Sequence, residues 1–307
     1  MISLHETRTI DKLKTEDIWN EFKKTLQNSD STSGTIANYE RGVEFLVEWM
    51  KPRAENAEDI DEKLASEYLE HLSSSIGASM WNLRLSLFKR VWKALSKEFG
   101  LNAGLWDNFK KKKTMKKSRR RTMTEKEIQT VLSKAKSRDM QLLITVGVYT
   151  GLRISDCALL KWSEVDFENG VLRVLPVKTK KHMDAPLEIP IHPALKTMLE
   201  SMPKTSEFVS EHNAKKYKSK HLSDAVVELF HECGIETSTT DENGKRVIVC
   251  GFHSLRHTFI SNAINNGMSA LLVRSIVGHS AVNMTEAYYH DNMDKMKEGI
   301  ENLPDVT

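Results

Sequence analysis

KKKKTMKKSRRR, residues 110–121, is the stretch on which the reading of this chain turns. It carries nine basic side chains and no acidic one. The rest of the 307-residue chain is slightly acidic: residues 1–109 hold 14 basic against 18 acidic side chains, and residues 122–307 hold 22 against 24. The net charge of +3 therefore comes from one segment, and without it the chain would stand at −6. A run of like charges repels itself and stays extended unless a polyanion lies against it. A phosphate backbone is the obvious polyanion, and binding through such a tract is steeply salt-dependent; the plainer reading is a solubilising linker or a targeting tract. The texture of the sequence also changes at the block. A chain about twice the ~150-residue yardstick for one domain is expected to hold two, so the boundaries read as residues 1–109, a basic linker 110–121, and residues 122–307.

Upstream the pattern is helical throughout. From Thr35 to Met50 the apolar positions Ile36, Val43, Leu46, Val47 and Met50 recur at helical spacing. Between Ser79 and Phe99 one apolar stripe is formed by Leu83, Leu87, Phe88, Val91, Trp92, Leu95 and Phe99, with Arg90, Lys93 and Lys97 on the other side. That basic face is either a solvated surface or a surface turned to phosphates.

Downstream, Thr124 and Glu127 have capping-box spacing and predict a helix start just after the basic run, ending near Lys136. Asp139 to Tyr149 packs Leu142, Leu143, Val146 and Val148 into a buried helix, and Gly151 supplies the break before Arg153. Val165–Phe167, Val171–Val177 and Leu187–Ile191 read as a small antiparallel sheet, with TKKHMDA as a hairpin loop. Helices resume at Pro193, around Leu222 to Cys233, at Ser254 to Asn265 and at Ala270 to Val277. The stretch 237–246 reads as a polar loop or exposed hairpin. The fold class is mostly α with a small antiparallel β-sheet.

Several classes drop out. Apolar residues at 39% and charged residues at 28% argue against wholesale disorder. The longest nearly apolar stretch, Leu142 to Leu152, falls short of the roughly 18–20 residues needed to span a bilayer, and Met1 to Arg8 lacks an apolar signal region. Cys157, Cys233 and Cys250 form no CxxC pair and suit a reducing cytoplasm. Asp156, Glu164, Asp166 and Glu168 cluster in sequence without making a metal site: the last three read as solvated turn residues, and Asp156 as a brace for the arginine turn. His253 and His257 lack the HExxH order of a zinc protease.

Five motifs remain: TGLRISD at 150–156, PVKTKK at 176–181, HSLRHTF at 253–259, LVRSIVGHS at 272–280 and TEAYYH at 285–290. His253 and Arg256 are three apart on a helix and share one face. In this order the motifs resemble those of the tyrosine recombinases, the phage-integrase and Xer-like site-specific DNA strand-exchange enzymes, across the whole length of the chain. The resemblance implies a helical, SAM-like core-binding domain before the linker and a mixed α/β catalytic domain after it. It assigns Arg153 and Arg256 as catalytic arginines, Lys178 as the lysine of the β-hairpin, His253 as the partner of Arg256, His279 as the histidine after the glycine, and Tyr288 as the nucleophile. Tyr289 is the rival, and the family spacing from the histidine selects Tyr288. Asp156 stands where the family commonly has Glu and keeps the carboxylate; IVGHS departs from the usual leucine before the glycine.

The chemistry follows from the side chains. A phosphodiester under attack gathers charge on its non-bridging oxygens, and preorganised cations stabilise that state more than the ground state. Two planar guanidinium forks suit this without metal or cofactor. His279 would add a hydrogen bond there. A phenol with pKa about 10 needs a base or nearby cations to attack, and His253 is the candidate. Lys178 can protonate the leaving 5′ oxygen. The resemblance further implies a 3′-phosphotyrosine intermediate, a Holliday junction, and a homotetramer on two DNA sites, with an accessory DNA-bending or directionality protein as a further partner class; the tail 290–307 either tucks onto its own domain or, as in many relatives, docks into a neighbouring subunit. Double-stranded DNA is the expected partner, contacted by Lys110, Lys111, Lys112, Lys113, Lys116, Lys117, Arg119, Arg120 and Arg121 and by Arg90, Lys93 and Lys97. A cytoplasmic, nucleoid-associated location is expected, with no membrane. Two other readings stay open: a type IB topoisomerase-like relaxation activity, and an architectural DNA-binding protein without catalysis.

Overall fold

The N-terminal sequence folds into helices α1 (Ile18–Thr25), α2 (Ser33–Met50), α3 (Glu62–Ser75) and α4 (Ala78–Phe99). The structure is a computed structural model in which residues 12–27, 29, 31–114, 120–178, 183, 185–240 and 246–278 are described. The chain divides into two compact units, residues 1–116 and 117–307, so the division falls inside the basic block. In the first unit Thr32 and Asp61 start α2 and α3 by accepting hydrogen bonds from the Thr35 and Leu64 N–H groups. The helices bury Phe22, Val43, Leu46, Met50, Tyr68, Phe88, Val91 and Trp92, and Trp106 closes the core with its ring edge-on to Trp92 at 5.2 Å.

The α4 stripe differs from expectation at one position. Leu83 is 54% exposed, while Trp81 and Leu85 join the buried face. Leu83 lies two residues from each, about 200° around the helix, which turns it away from the face they share. Arg90, Lys93 and Lys97 lie on the solvent side, and Arg90 Nη1 donates to the Tyr39 hydroxyl at 3.1 Å. The start of the basic block is not extended in isolation. Asn82 Oδ1 accepts from the Lys112 N–H at 2.8 Å and Asn82 Nδ2 donates to the Lys112 carbonyl at 2.9 Å. Lys112 Nζ donates to Ser73 Oγ at 2.7 Å and lies 4.9 Å from the Trp81 ring centre. Lys116, Lys117 and Arg119 fall outside the described residues.

In the second unit Thr124 and Glu127 close their capping box, with Thr124 N–H donating to Glu127 Oε2 at 2.8 Å and Glu127 N–H to Thr124 Oγ1 at 3.2 Å. Helix α5 (Glu125–Lys134) follows, then α6 (Arg138–Thr150) and α7 (Ile154–Ala158). Strands β1 (Val165–Asp166), β2 (Val171–Val174) and β3 (Leu187–Pro190) form an antiparallel sheet in that order, with Leu172 opposite Ile189 and Val174 opposite Leu187. Alternation buries those four side chains. Helices α8 (Pro193–Glu200), α9 (Glu211–Lys218) and α10 (Leu222–Glu232) come next, then the β4 (Ser238–Thr240) and β5 (Arg246–Ile248) hairpin, α11 (Phe252–Asn265) and α12 (Ala270–Val277). Helix α6 is buried along Leu142, Leu143, Ile144 and Val146 and packs against α11. At Gly147 an added Cβ would lie 2.8 Å from Phe252 Cζ, so the missing side chain is what lets α6 and α11 approach.

Candidate active site

The site is built on the break after α6. Gly151 has φ +63°, and a Cβ there would lie 2.6 Å from Phe259 Cδ1, so both backbone conformation and space require glycine. The turn reverses the chain and leaves Arg153 as the residue capping α7. Arg256, on α11, reaches back to the same turn. It is 1% exposed, donating from Nη1 to the Gly151 carbonyl at 2.7 Å and from Nη2 to the Val277 carbonyl at 2.8 Å. A guanidinium has more N–H donors than these two carbonyls take. The two bonds fix its plane and tie the α6 turn to the end of α12, where Gly278 stops the helix with φ +66°. His279, the next residue, lies outside the described residues, as do Tyr288, Tyr289 and the tail.

Asp156 is 3% exposed and takes a partner that its motif does not reveal. Its Oδ1 accepts from the Val177 N–H at 2.9 Å and from Ser155 Oγ at 3.2 Å. The carboxylate thus fastens the loop one residue before Lys178 to the helix that Arg153 caps. The expected strand to Val177 is cut short for the same reason: β2 stops at Val174, and the backbone beyond it turns its donor to Asp156. Lys178 itself is exposed. Burial raises the Asp156 carboxyl above its usual range, against the lowering effects of its hydrogen bonds and of Arg153 and Arg256. Replacing Asp156 with alanine is expected to cost about 1.5–3 kcal/mol, the worth of a hydrogen bond to a charged group, and to slow catalysis by loosening the Lys178 loop. Asp156→Asn, which keeps the acceptor, should retain most of both. Thermal unfolding and a single-turnover cleavage rate measured on each variant check this.

His253 is half-buried in the first turn of α11, its ring 5.0 Å from that of His257 and nearly perpendicular to it. Burial, then His257, Arg120, Arg256 and Arg153, push the His253 pKa down to about 3; burial, Arg120 and Arg256 push His257 down to about 4. Both rings are neutral at pH 7, and a neutral imidazole is able to accept a proton. Between about pH 6.5 and these depressed values the unfolded chain binds more protons than the folded one, so these groups make stability fall as the solution is acidified. Arg256 thus meets the Gly151 turn two residues before Arg153, and His253 lies three residues before Arg256 on α11. Glu164 and Asp166 are occupied elsewhere and are half-buried, where solvated side chains were expected. Glu164 turns inward to accept from the Lys161 N–H, and Asp166 pairs with Asn169 and Arg173.

Known proteins share this layout. The sequence profile of the phage integrase family matches residues 121–295, and that of the phage integrase N-terminal SAM-like domain matches residues 19–98. The chain belongs to the phage integrase family. Among curated relatives, the tyrosine recombinase XerA of Pyrococcus furiosus is 27% identical over 297 residues, covering 95% of each chain. The tyrosine recombinase XerD of Rhizobium meliloti is 26% identical over 289 residues, covering 89% of each. Among solved structures, a lambda integrase dimer bound to a COC′ core site superposes with TM-score 0.72 at 18% identity, over 92% of this chain and 78% of that one. A lambda integrase tetramer bound to a Holliday junction gives 0.73 at 18% identity over the same shares. At that identity the superpositions establish the fold of this phage integrase family member, a helical SAM-like unit followed by a mixed α/β unit.

Sequence reading missed two residues that build the site. Thr258 Oγ1 accepts from the Met123 N–H at 2.8 Å and donates to the Ser254 carbonyl at 2.8 Å, pinning the chain that leaves the basic block to α11. His257 shares the His253 environment. Both lie in HSLRHTF, yet nothing in the spacing says what a threonine there would hold. Among the described residues no helix is long and apolar enough to cross a membrane.

Proposed function

We infer that this phage integrase family member is a site-specific tyrosine recombinase that cuts and rejoins duplex DNA without metal or ATP. The reading is supported most directly by Arg256, which bonds the Gly151 carbonyl two residues before Arg153 and the Val277 carbonyl two residues before His279 in sequence. In the reaction Arg153 and Arg256 hold the non-bridging oxygens of the scissile phosphate, with His279 donating a further hydrogen bond. Neutral His253 takes the proton of the Tyr288 phenol as the oxygen attacks phosphorus. Lys178 gives a proton to the departing 5′ oxygen. The new phosphotyrosine ester keeps the energy of the broken linkage, so the 5′ hydroxyl of another strand reverses the step with no outside energy source.

The helical unit, residues 1–109, and the catalytic unit, residues 122–307, are assigned to clamp the duplex, joined by the basic linker 110–121. Lys110, Lys111, Lys113, Lys116, Lys117, Arg119 and Arg120, with Arg90, Lys93 and Lys97, are assigned to phosphate contacts. Lys112 and Arg121 contribute less, because Lys112 is docked on Asn82, Ser73 and Trp81 and Arg121 is paired with Glu127. The working form is a tetramer on two sites, in the cytoplasm and on the nucleoid if the host is prokaryotic, with the tail 290–307 docking into a neighbouring subunit. Truncation after Asp291 is expected to reduce tetramer assembly on DNA severalfold or more, read by sizing; unchanged assembly would count against exchange of the tail. The function itself is tested with a nicked suicide duplex, on which the wild-type chain should become covalently trapped. Intact binding with no adduct would overturn the assignment.

A further inference from the structure

The basic block is not the chain's only run of lysines. KKYKSK, residues 215–220, holds four, and no acidic side chain occurs from His212 to Ser223. The run forms the end of α9 and the turn into α10, in the second unit. Lys215 is paired with Glu211 at 2.7 Å, the residue that opens α9. Lys216, Lys218 and Lys220 form no ion pair among the described residues. Lys218 Nζ lies 5.1 Å from the Phe208 ring centre, and the residue is exposed.

The turn has an unusual occupant. Beyond Lys218 the helix is closed by the Lys220 N–H, which donates to the Tyr217 carbonyl at 3.0 Å, and by the His221 N–H, which donates to the Lys216 carbonyl at 3.2 Å. That pair of bonds needs left-handed backbone at residue 220, and Lys220 has φ +66°. A Cβ is disfavoured in that conformation. Glycine fills it elsewhere: Gly100, Gly151 and Gly278 close α4, α6 and α12. Among the described residues Lys220 is the one non-glycine with positive φ. Its exposed side chain makes no hydrogen bond or ion pair that would offset the conformation. Attraction to the carbonyl end of α9 favours cations in the last turn, where Lys215, Lys216 and Lys218 already stand, so it does not call for one at residue 220. Tyr217, Lys218, Lys220, Leu222 and Ser223 line a surface hollow of about 320 Å³. Two lysines and no acid face it.

We propose that Lys220, with Lys218 beside it, binds a backbone phosphate of duplex DNA at the hollow between α9 and α10, and that this contact keeps a lysine where the turn itself favours glycine. It is a contact of the second unit outside the basic linker. An exposed ammonium with no acidic partner displaces condensed counterions when it meets a phosphate, and it adds affinity and register without reading sequence. The two backbone bonds that close the turn hold the base of the side chain in place. This contact rests on the DNA-handling reading above.

The test is binding of the full chain to a mixed-sequence duplex across a salt series, with thermal unfolding of each variant alongside. Lys220→Gly should melt at or above the wild type, because the turn then holds its preferred residue. It should nevertheless bind duplex roughly threefold to tenfold more weakly at about 0.1 M salt, with the slope of log affinity against log salt smaller in magnitude by about one. Lys220→Asn, also at home in left-handed backbone, should repeat the loss. Lys220→Arg keeps the charge and should bind like the wild type. Lys136→Ala, which removes an exposed lysine elsewhere, should match the wild type in both measurements. A lysine serving only the helix end predicts the reverse: a lower melting temperature for Lys220→Gly with DNA binding unmoved. Wild-type affinity and slope in Lys220→Gly, or an equal loss in Lys136→Ala, would overturn the proposal. A wild-type chain that binds no duplex would overturn the DNA-handling reading and the proposal with it.

Discussion

Changing Tyr288 to phenylalanine is expected to abolish the covalent DNA adduct, by roughly 10⁴-fold or more, while duplex binding stays nearly unchanged. The substitution removes only the phenol oxygen, which forms the bond to phosphorus in the proposed reaction. The cations that grip the phosphate are untouched. Tyr289→Phe is the paired measurement, and it should still be trapped on a nicked suicide duplex. Adduct formation by Tyr288→Phe and its loss in Tyr289→Phe would transfer the nucleophile to the neighbouring residue.

The second large effect is expected at Arg256, where chemistry and folding share one side chain. Arg256→Ala takes a donor away from the Gly151 and Val277 carbonyls, which lie in a buried setting. An unsatisfied buried polar group costs about 1–3 kcal/mol, and two carbonyls are orphaned, so the loss of stability is put at roughly 2–6 kcal/mol. The catalytic loss is put at about 10²-fold to 10³-fold, as for removal of a preorganised donor from an oxyanion site. Arg256→Lys restores charge without the fork, because one ammonium does not span both carbonyls in the same plane; it should regain stability more than rate. Thermal unfolding paired with single-turnover trapping separates the two effects. An Arg256→Ala chain that melts like wild type would show that the link from the α6 turn to α12 carries little.

Local rules made part of this fold legible. The Thr124 and Glu127 capping box, the glycine break at 151 and the alternation in Leu187–Ile191 are short-range signals, and each appears where the spacing places it. Helix α9 carries little mark in the sequence, because EHNAKKYK has few apolar positions; α3 has both an Asp61 cap and a stripe of Leu64, Tyr68, Leu69 and Leu72 that the sequence reading passed over. Leu83 shows the limit of a stripe drawn on one helix: which arc faces the core is set by the neighbouring helices. The partners of Asp156 and Lys112 were hidden for a similar reason. An Asp side chain holding a backbone N–H 21 residues on, and an Asn clamping one 30 residues on, leave no periodic trace. The site motifs were legible as types and order, while the Arg256 bridge and the Thr258 bond exist only once α11 packs on α6.

The proposed mechanism requires that two guanidinium groups, one at the N-cap of α7 and one on α11, serve one phosphate. A crystal structure of the Tyr288→Phe chain on an uncut duplex tests it most directly. Nitrogens of Arg153 and Arg256 are expected within about 3 Å of non-bridging oxygens on the same phosphate, with the residue 288 ring facing that phosphorus. Arginines bound to different phosphates, or Arg256 still sealed away from the DNA, would contradict it.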